Sequence, residues 1–170
     1  ANTAWYDALN KTQGRVGPEI EPPCSSISQY FDDWLDQDGF PFWSLWDNAR
    51  TWWAIRDLPN VHMVHFANLK SDMPGEIRRI AEFIGTSIEE SKWDKILKHC
   101  SFDYMKANAT KSVPLGGAFW EGGAETFIHK GTNGRWRDVL SAEQTMNYEQ
   151  RAESELGPDC AHWFATGELK

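Results

Sequence analysis

Apolar positions recur at helical spacing through most of this chain, and one short stretch breaks the pattern. Tyr30, Phe31, Trp34 and Leu35 fall along one face of a helix that Ser28 could cap and that ends near Asp38-Gly39. A second helix is expected from Trp43 to Ile55, with Trp46, Ala49, Trp53 and Ile55 inward and Pro59 preventing its continuation. Val61 to Phe66 is short, partly β-branched and bounded by turn formers, and it predicts a strand. Pro74 suits the first turn of a helix whose stripe is Ile77, Ile80, Ala81 and Ile84, with Gly85 as its cap. Ser87-Ile88-Glu89-Glu90 has the form of a capping box opening a helix with Trp93, Ile96 and Leu97 buried.

The C-terminal half is more broken. Ser101 to Ala107 predicts a short helix. Ser101 either caps it or offers a free hydroxyl beside unpaired amides to an anion. Residues 109–126 carry Pro114 and four glycines, which reads as a loop with Phe119 and Trp120 exposed: variable surface, or a lid over a substrate. Ser141-Ala142-Glu143-Gln144 is a second capping box, whose helix reaches Leu156 before Gly157-Pro158. Cys160 to Ala165 then packs Trp163 and Phe164. Upstream, a helical piece around Trp5 to Leu9 gives way to a loop marked by Gly14, Gly17, Pro18, Pro22 and Pro23.

A formal net charge of -8 disfavours nonspecific nucleic-acid binding, which needs a broad basic surface. No apolar run is long enough to predict a membrane span, and the first residues have neither the basic start nor the apolar core of a secretory leader. Three cysteines without paired spacing fit reduced thiols in a cytoplasm. His62 and His65 would lie on opposite faces of a strand, and Cys160-Ala161-His162 is too short, so no metal site is expected. Most of the ten tryptophans read as core packing.

Against that acidic background, His129 to Arg137 holds Lys130, Arg135 and Arg137 and no acid. Gly131 and Gly134 let the backbone approach a ligand, and free amides beside a cation suit a phosphate. The alternative is a basic surface turn anchored to the core by Trp136. The pattern Phe-x-x-Lys-Gly-x-x-Gly-x-Trp, from Phe127 to Trp136, resembles the C-terminal motif of sulfotransferases that use 3'-phosphoadenosine 5'-phosphosulfate (PAPS). In that family an Arg-Lys-Gly run holds the 3'-phosphate; here His129 stands at the Arg position, while Lys130 and Gly131 match. Asn60 to Lys70 resembles the family's strand and the turn after it, Met73 to Gly85 its next helix, and Cys100 to Met105 its Thr-Ser-Phe-x-x-Met motif. The likeness is strongest over residues 49–157.

The resemblance implies an α/β, P-loop-type sulfotransferase fold. This chain, residues 1–170, would be its C-terminal part, mostly helical with one parallel-type strand at Val61 to Phe66. It implies PAPS, and its product PAP, as cofactor and a small-molecule hydroxyl or amine as acceptor. Lys130, Gly131 and His129 would serve the 3'-phosphate, Ser101, Phe102 and Met105 the adenosine pocket, and Phe66 the adenine. The family's phosphosulfate loop, Tyr-Pro-Lys-Ser/Ala-Gly-Thr-Thr, is not among these residues, nor is any Walker P-loop, so no catalytic residue is assigned. The chain is therefore expected to be inactive alone, and a lone strand with an unpaired edge predicts self-association. The competing reading is a truncated, non-catalytic nucleotide-binding or protein-interaction module.

Overall fold

The computed structural model describes Asn10, Lys11, Pro22, Cys24, Trp120 and residues 26–39, 43–118 and 122–169. The helical piece expected around Trp5 to Leu9, most of the loop after it, and Phe119 lie outside these. The chain divides into two compact units. One joins Lys98–Gly134 to the chain up to Phe31; the other joins Asp32–Leu97 to Arg135–Lys170.

Ten α-helices run along the described residues: α1 Ile27–Asp36, α2 Leu45–Ala54, α3 Phe66–Ser71, α4 Met73–Phe83, α5 Glu90–Cys100, α6 Phe102–Ala107, α7 Ala109–Ser112, α8 Ala124–Phe127, α9 Ala142–Leu156 and α10 Pro158–Thr166. Short 3-10 turns occupy Pro114–Gly117 and Arg135–Asp138.

The larger unit is held by aromatic pairs between helices distant in sequence. Trp46 on α2, 2% exposed, meets Tyr148 on α9 at 5.7 Å between ring centroids, and Trp53 meets Trp163 on α10 at 5.6 Å. Arg50 on α2 reaches the Glu155 carboxylate and carbonyl at 2.9 and 3.3 Å, and Arg151 holds the other Glu155 oxygen at 2.9 Å. Burial alone raises the Tyr148 hydroxyl above its ordinary pKa. Of the tryptophans expected inside, Trp43 and Trp52 are instead 78% and 50% exposed, because α2 starts at Leu45 with Ser44 as its cap and turns only one face inward. Ile55, past the helix end, is also exposed.

Capping chemistry sets most boundaries. Ser141 and Gln144 exchange side-chain and backbone bonds at 3.0 and 3.1 Å in the expected capping box, and Gln144 Nε2 also donates to Asp32 at 2.8 Å. Asp72 caps α4 by accepting from the Gly75 amide, and Pro74 sits in the first turn. At the other end Gly85 has φ +69; its amide donates to Glu82 O and that of Thr86 to Ala81 O, the paired closure of a Schellman motif. Ile84, expected in the buried stripe, is 62% exposed.

Two boundaries differ from the pattern. Ser26, not Ser28, accepts the amide of Gln29 and opens α1. The box expected at Ser87 does not form, and α5 begins at Glu90. The carboxylate that would have reached back to Ser87 is held by Arg78 at 3.1 and 3.4 Å, and the same guanidinium lies 4.0 Å over the Trp93 ring. A charged partner outcompetes a neutral amide for that acceptor.

The strand expectation is overturned. Residues 61–65 belong to no regular element, Phe66 already begins α3, and no strand exists among the described residues. An extended segment becomes a strand only through a ladder with a second one, and no described segment supplies it. Side chains fix this stretch instead. His62 stacks on Phe83 at 5.0 Å. His65 Nδ1 accepts the Ala67 amide, so Nε2 carries the proton it donates to Phe164 O at 3.1 Å, with Trp163 edge-on to the ring. Asn68 donates to Gly167 O at 2.9 Å, which ties the end of α10 to the start of α3.

The smaller unit has its own core of Ala109, Val113 and Ala124, with Trp120 and Ile128 against it. The described residues between 109 and 126 are thus packed, and Trp120, expected to be exposed, is half-buried and packs on Phe127 at 4.4 Å. Gly117, at φ +89, lets the turn after α7 lie directly against the Ala124 backbone, where any β-carbon would overlap.

No described helix is long and apolar enough to cross a membrane, and no group of three His, Cys, Asp or Glu residues is placed to hold a metal.

Two measurements check this arrangement. Gly85→Ala meets open space and should lose only the left-handed backbone preference, about 1–2 kcal/mol. Gly167→Ala should lose more in urea unfolding, since its β-carbon would lie 2.6 Å from Asn68 Oδ1 and 2.7 Å from His65 Nδ1; equal losses would contradict the His65–Asn68 anchor. Cys160 is 2% exposed and burial raises its thiol pKa, with Arg56 opposing slightly, whereas Cys24 and Cys100 are exposed. Iodoacetamide should therefore modify two thiols in the native protein and the third only on unfolding; three thiols reacting at one rate would refute it.

Candidate functional site

Two segments separated in sequence build the corner around Lys130. The first is α6. Ser101 caps it: its hydroxyl accepts the Tyr104 amide at 3.2 Å and donates to Lys98 O at 2.7 Å. The hydroxyl is thus committed to the helix end, and the capping alternative is the one observed. From that start Phe102, Met105 and Lys106 follow at the i, i+3 and i+4 spacing that shares a helix face.

The second segment is His129 to Gly134, which follows α8 without forming a helix. Gly131 has φ +58, and a β-carbon there would lie 2.5–2.6 Å from the Phe102 ring. Backbone therefore lies on an aromatic face at a distance only glycine permits. Across the same ring, 5.9 Å from its centroid, is Lys106 Nζ, which donates to His129 O at 3.2 Å. The His129 amide is spent on Phe127 O at 3.1 Å. Those of Lys130, Gly131 and Thr132 have no hydrogen-bond partner among the described residues. Lys130 itself is exposed and takes part in no ion pair among the described residues.

Chemically, this is a row of free amides beside an unneutralised ammonium, backed by a ring. Such a surface receives an anion. Trp136 does not anchor it to the core: it is 42% exposed, with Arg137 over its ring at 4.5 Å.

Of the residues singled out in the sequence, the structure brings Phe102 and Gly131 into contact, with His129 and Lys130 on the same corner. Ser101 and Met105 are on the adjoining helix. Phe66 lies in the other unit, where it opens α3 and is 52% exposed. Arg135 and Arg137 also belong to that unit. Lys106 was not singled out. Its signal was present, one residue past Met105 and four past Phe102, but nothing in the sequence tells that its ammonium meets the His129 carbonyl.

The sulfotransferase domain family matches residues 5–158. Human sulfotransferase 1C2 is 26% identical over 131 residues, which cover 76% of this chain and 44% of that protein. Rat sulfotransferase 2A6 is 27% identical over 125 residues, covering 74% and 44%. The chain spans about half the length of the curated relatives it matches. Among solved structures, mouse sulfotransferase SULT7A1 complexed with PAP aligns with a TM-score of 0.72 at 19% identity, over 98% of this chain and 58% of that one. Retinol dehydratase, in complex with androsterone and inactive cofactor PAP, aligns at 0.64 with 26% identity, over 78% and 39%. With nine-tenths of its length inside the matched domain, this chain belongs to the sulfotransferase domain family.

Proposed function

We propose that the chain holds the nucleotide side of a PAPS site, and that within a complete enzyme it serves transfer of a sulfuryl group to a small hydroxyl or amine acceptor. The carrying observation is the Lys130–Gly131 corner: consecutive amides and a lysine without partners among the described residues, with Gly131 against the Phe102 ring. PAP in the two aligned structures supports the choice of ligand. PAPS supplies the activated sulfuryl group and leaves as PAP.

The chain's own residues then act on the nucleotide. Lys130 neutralises the 3'-phosphate, and the amides of Lys130 and Gly131 donate to its oxygens. Phe102 and Met105 shape the adenosine pocket, and Ser101 keeps α6 in place through its cap. His129 offers a hydrogen bond beside the phosphate. Positive electrostatics at the leaving nucleotide matters because charge accumulates there in the transition state. Residues 1–170 form the C-terminal portion of the domain in this reading, with its firmest likeness over 49–157. A cytoplasmic setting accords with three free thiols.

Isothermal titration of PAP tests the assignment. Lys130→Ala should weaken binding about tenfold, the loss of one charge-assisted contact, and affinity should fall with added salt. A chain that binds no PAP, or a Lys130→Ala variant with unchanged affinity, overturns the reading in favour of a scaffold without a nucleotide site.

Self-association is a further part of the proposal. Among the described residues the amides of His62, Met63 and Val64 have no hydrogen-bond partner, and they are donors that a second chain could meet. Light scattering should show a species larger than 19.5 kDa; a monodisperse monomer would count against it.

A further inference from the structure

We infer that Lys106 is a positioning residue for the nucleotide corner. This rests on the nucleotide reading above and adds a residue to it. Lys106 comes from α6 and the corner from a segment after α8, yet its Nζ donates to His129 O at 3.2 Å. A peptide group is planar, and its C=O and N–H point in opposite directions. Holding the His129 carbonyl on the Lys106 side therefore turns the Lys130 N–H to the other side of the strip, where it has no protein partner.

One rotation of that peptide would hide the amide and present a carbonyl oxygen, which repels an anion. Lys106 opposes this rotation. The Phe102 ring limits the motion from below, because Gly131 rests on it and Lys106 spans it at 5.9 Å. The aromatic ring and the ammonium thus fix two successive peptides of the same corner. Lys106 acts through the His129 carbonyl and does not itself touch the phosphate: the bond it makes orients the adjoining amide away from it.

Both Lys106 and His129 are exposed, so the bond competes with water and its effect is modest. Its selectivity is the diagnostic feature, because it prepares the corner for one particular phosphate. Lys106→Met keeps the apolar stem over Phe102 and deletes the donor; Lys106→Arg keeps a donor.

In titrations with PAP and with adenosine 5'-phosphate, which lacks the 3'-phosphate, Lys106→Met should lose about fivefold for PAP and nothing for the monophosphate. Lys106→Arg should recover most of the loss. In the nucleotide-free chain, Lys106→Met should shift the NMR amide signals of Lys130 and Gly131, while Lys106→Arg leaves them near their original positions. Equal PAP affinity in Lys106→Met, an equal loss for both nucleotides, or unmoved Lys130 and Gly131 signals would each overturn the inference. Wild-type chain that binds no PAP while those signals do shift would overturn the nucleotide reading and leave only the contact.

Discussion

The Lys130–Gly131 corner depends on close contact between backbone and an aromatic ring. Gly131 can rest on Phe102 because it has no β-carbon, and its left-handed φ turns the strip so that three successive amides remain unpaired. Any other residue would lift the strip off the ring and change the direction of the amides. The charges nearby then gain a fixed place. Lys130 would be one more surface lysine without the amides beside it, and Lys106 would have no carbonyl to hold.

In the larger unit the same logic of close approach recurs. Gly167 ends α10 in a left-handed turn against His65 and Asn68, and the two hydrogen bonds there join segments 99 residues apart. This closure, with Trp163 against His65 and Trp53, fixes a segment that belongs to no sheet among the described residues. Aromatic packing and side-chain bonds do here what a ladder does in a sheet.

Local chemistry was readable where the competing partners were also local. The Ser141 box, the Pro74 start and the Gly85 closure all involve groups within a few residues, so spacing was enough to place them. The Ser87 box was misjudged because Arg78, twelve residues upstream of Glu90, takes its carboxylate. The strand was misjudged for a related reason: alternation describes a segment, while a strand is a relation between two. Lys106 escaped notice because its partner is a backbone carbonyl 23 residues away, and carbonyls leave no trace in a sequence.

By itself the sequence determined the helical periodicity, the caps whose donors and acceptors are neighbours, the unusual basic run in an acidic chain, and the lysine–glycine pattern that marks its family. These follow from short-range geometry and from residue identity. Tertiary structure alone decided which amides stay free, which hydroxyl is spent on capping, which tryptophans are inside, and that Phe102 lies under Gly131. Those depend on which distant segment arrives first at a given donor, acceptor or face, and that contest is settled only when the chain is packed.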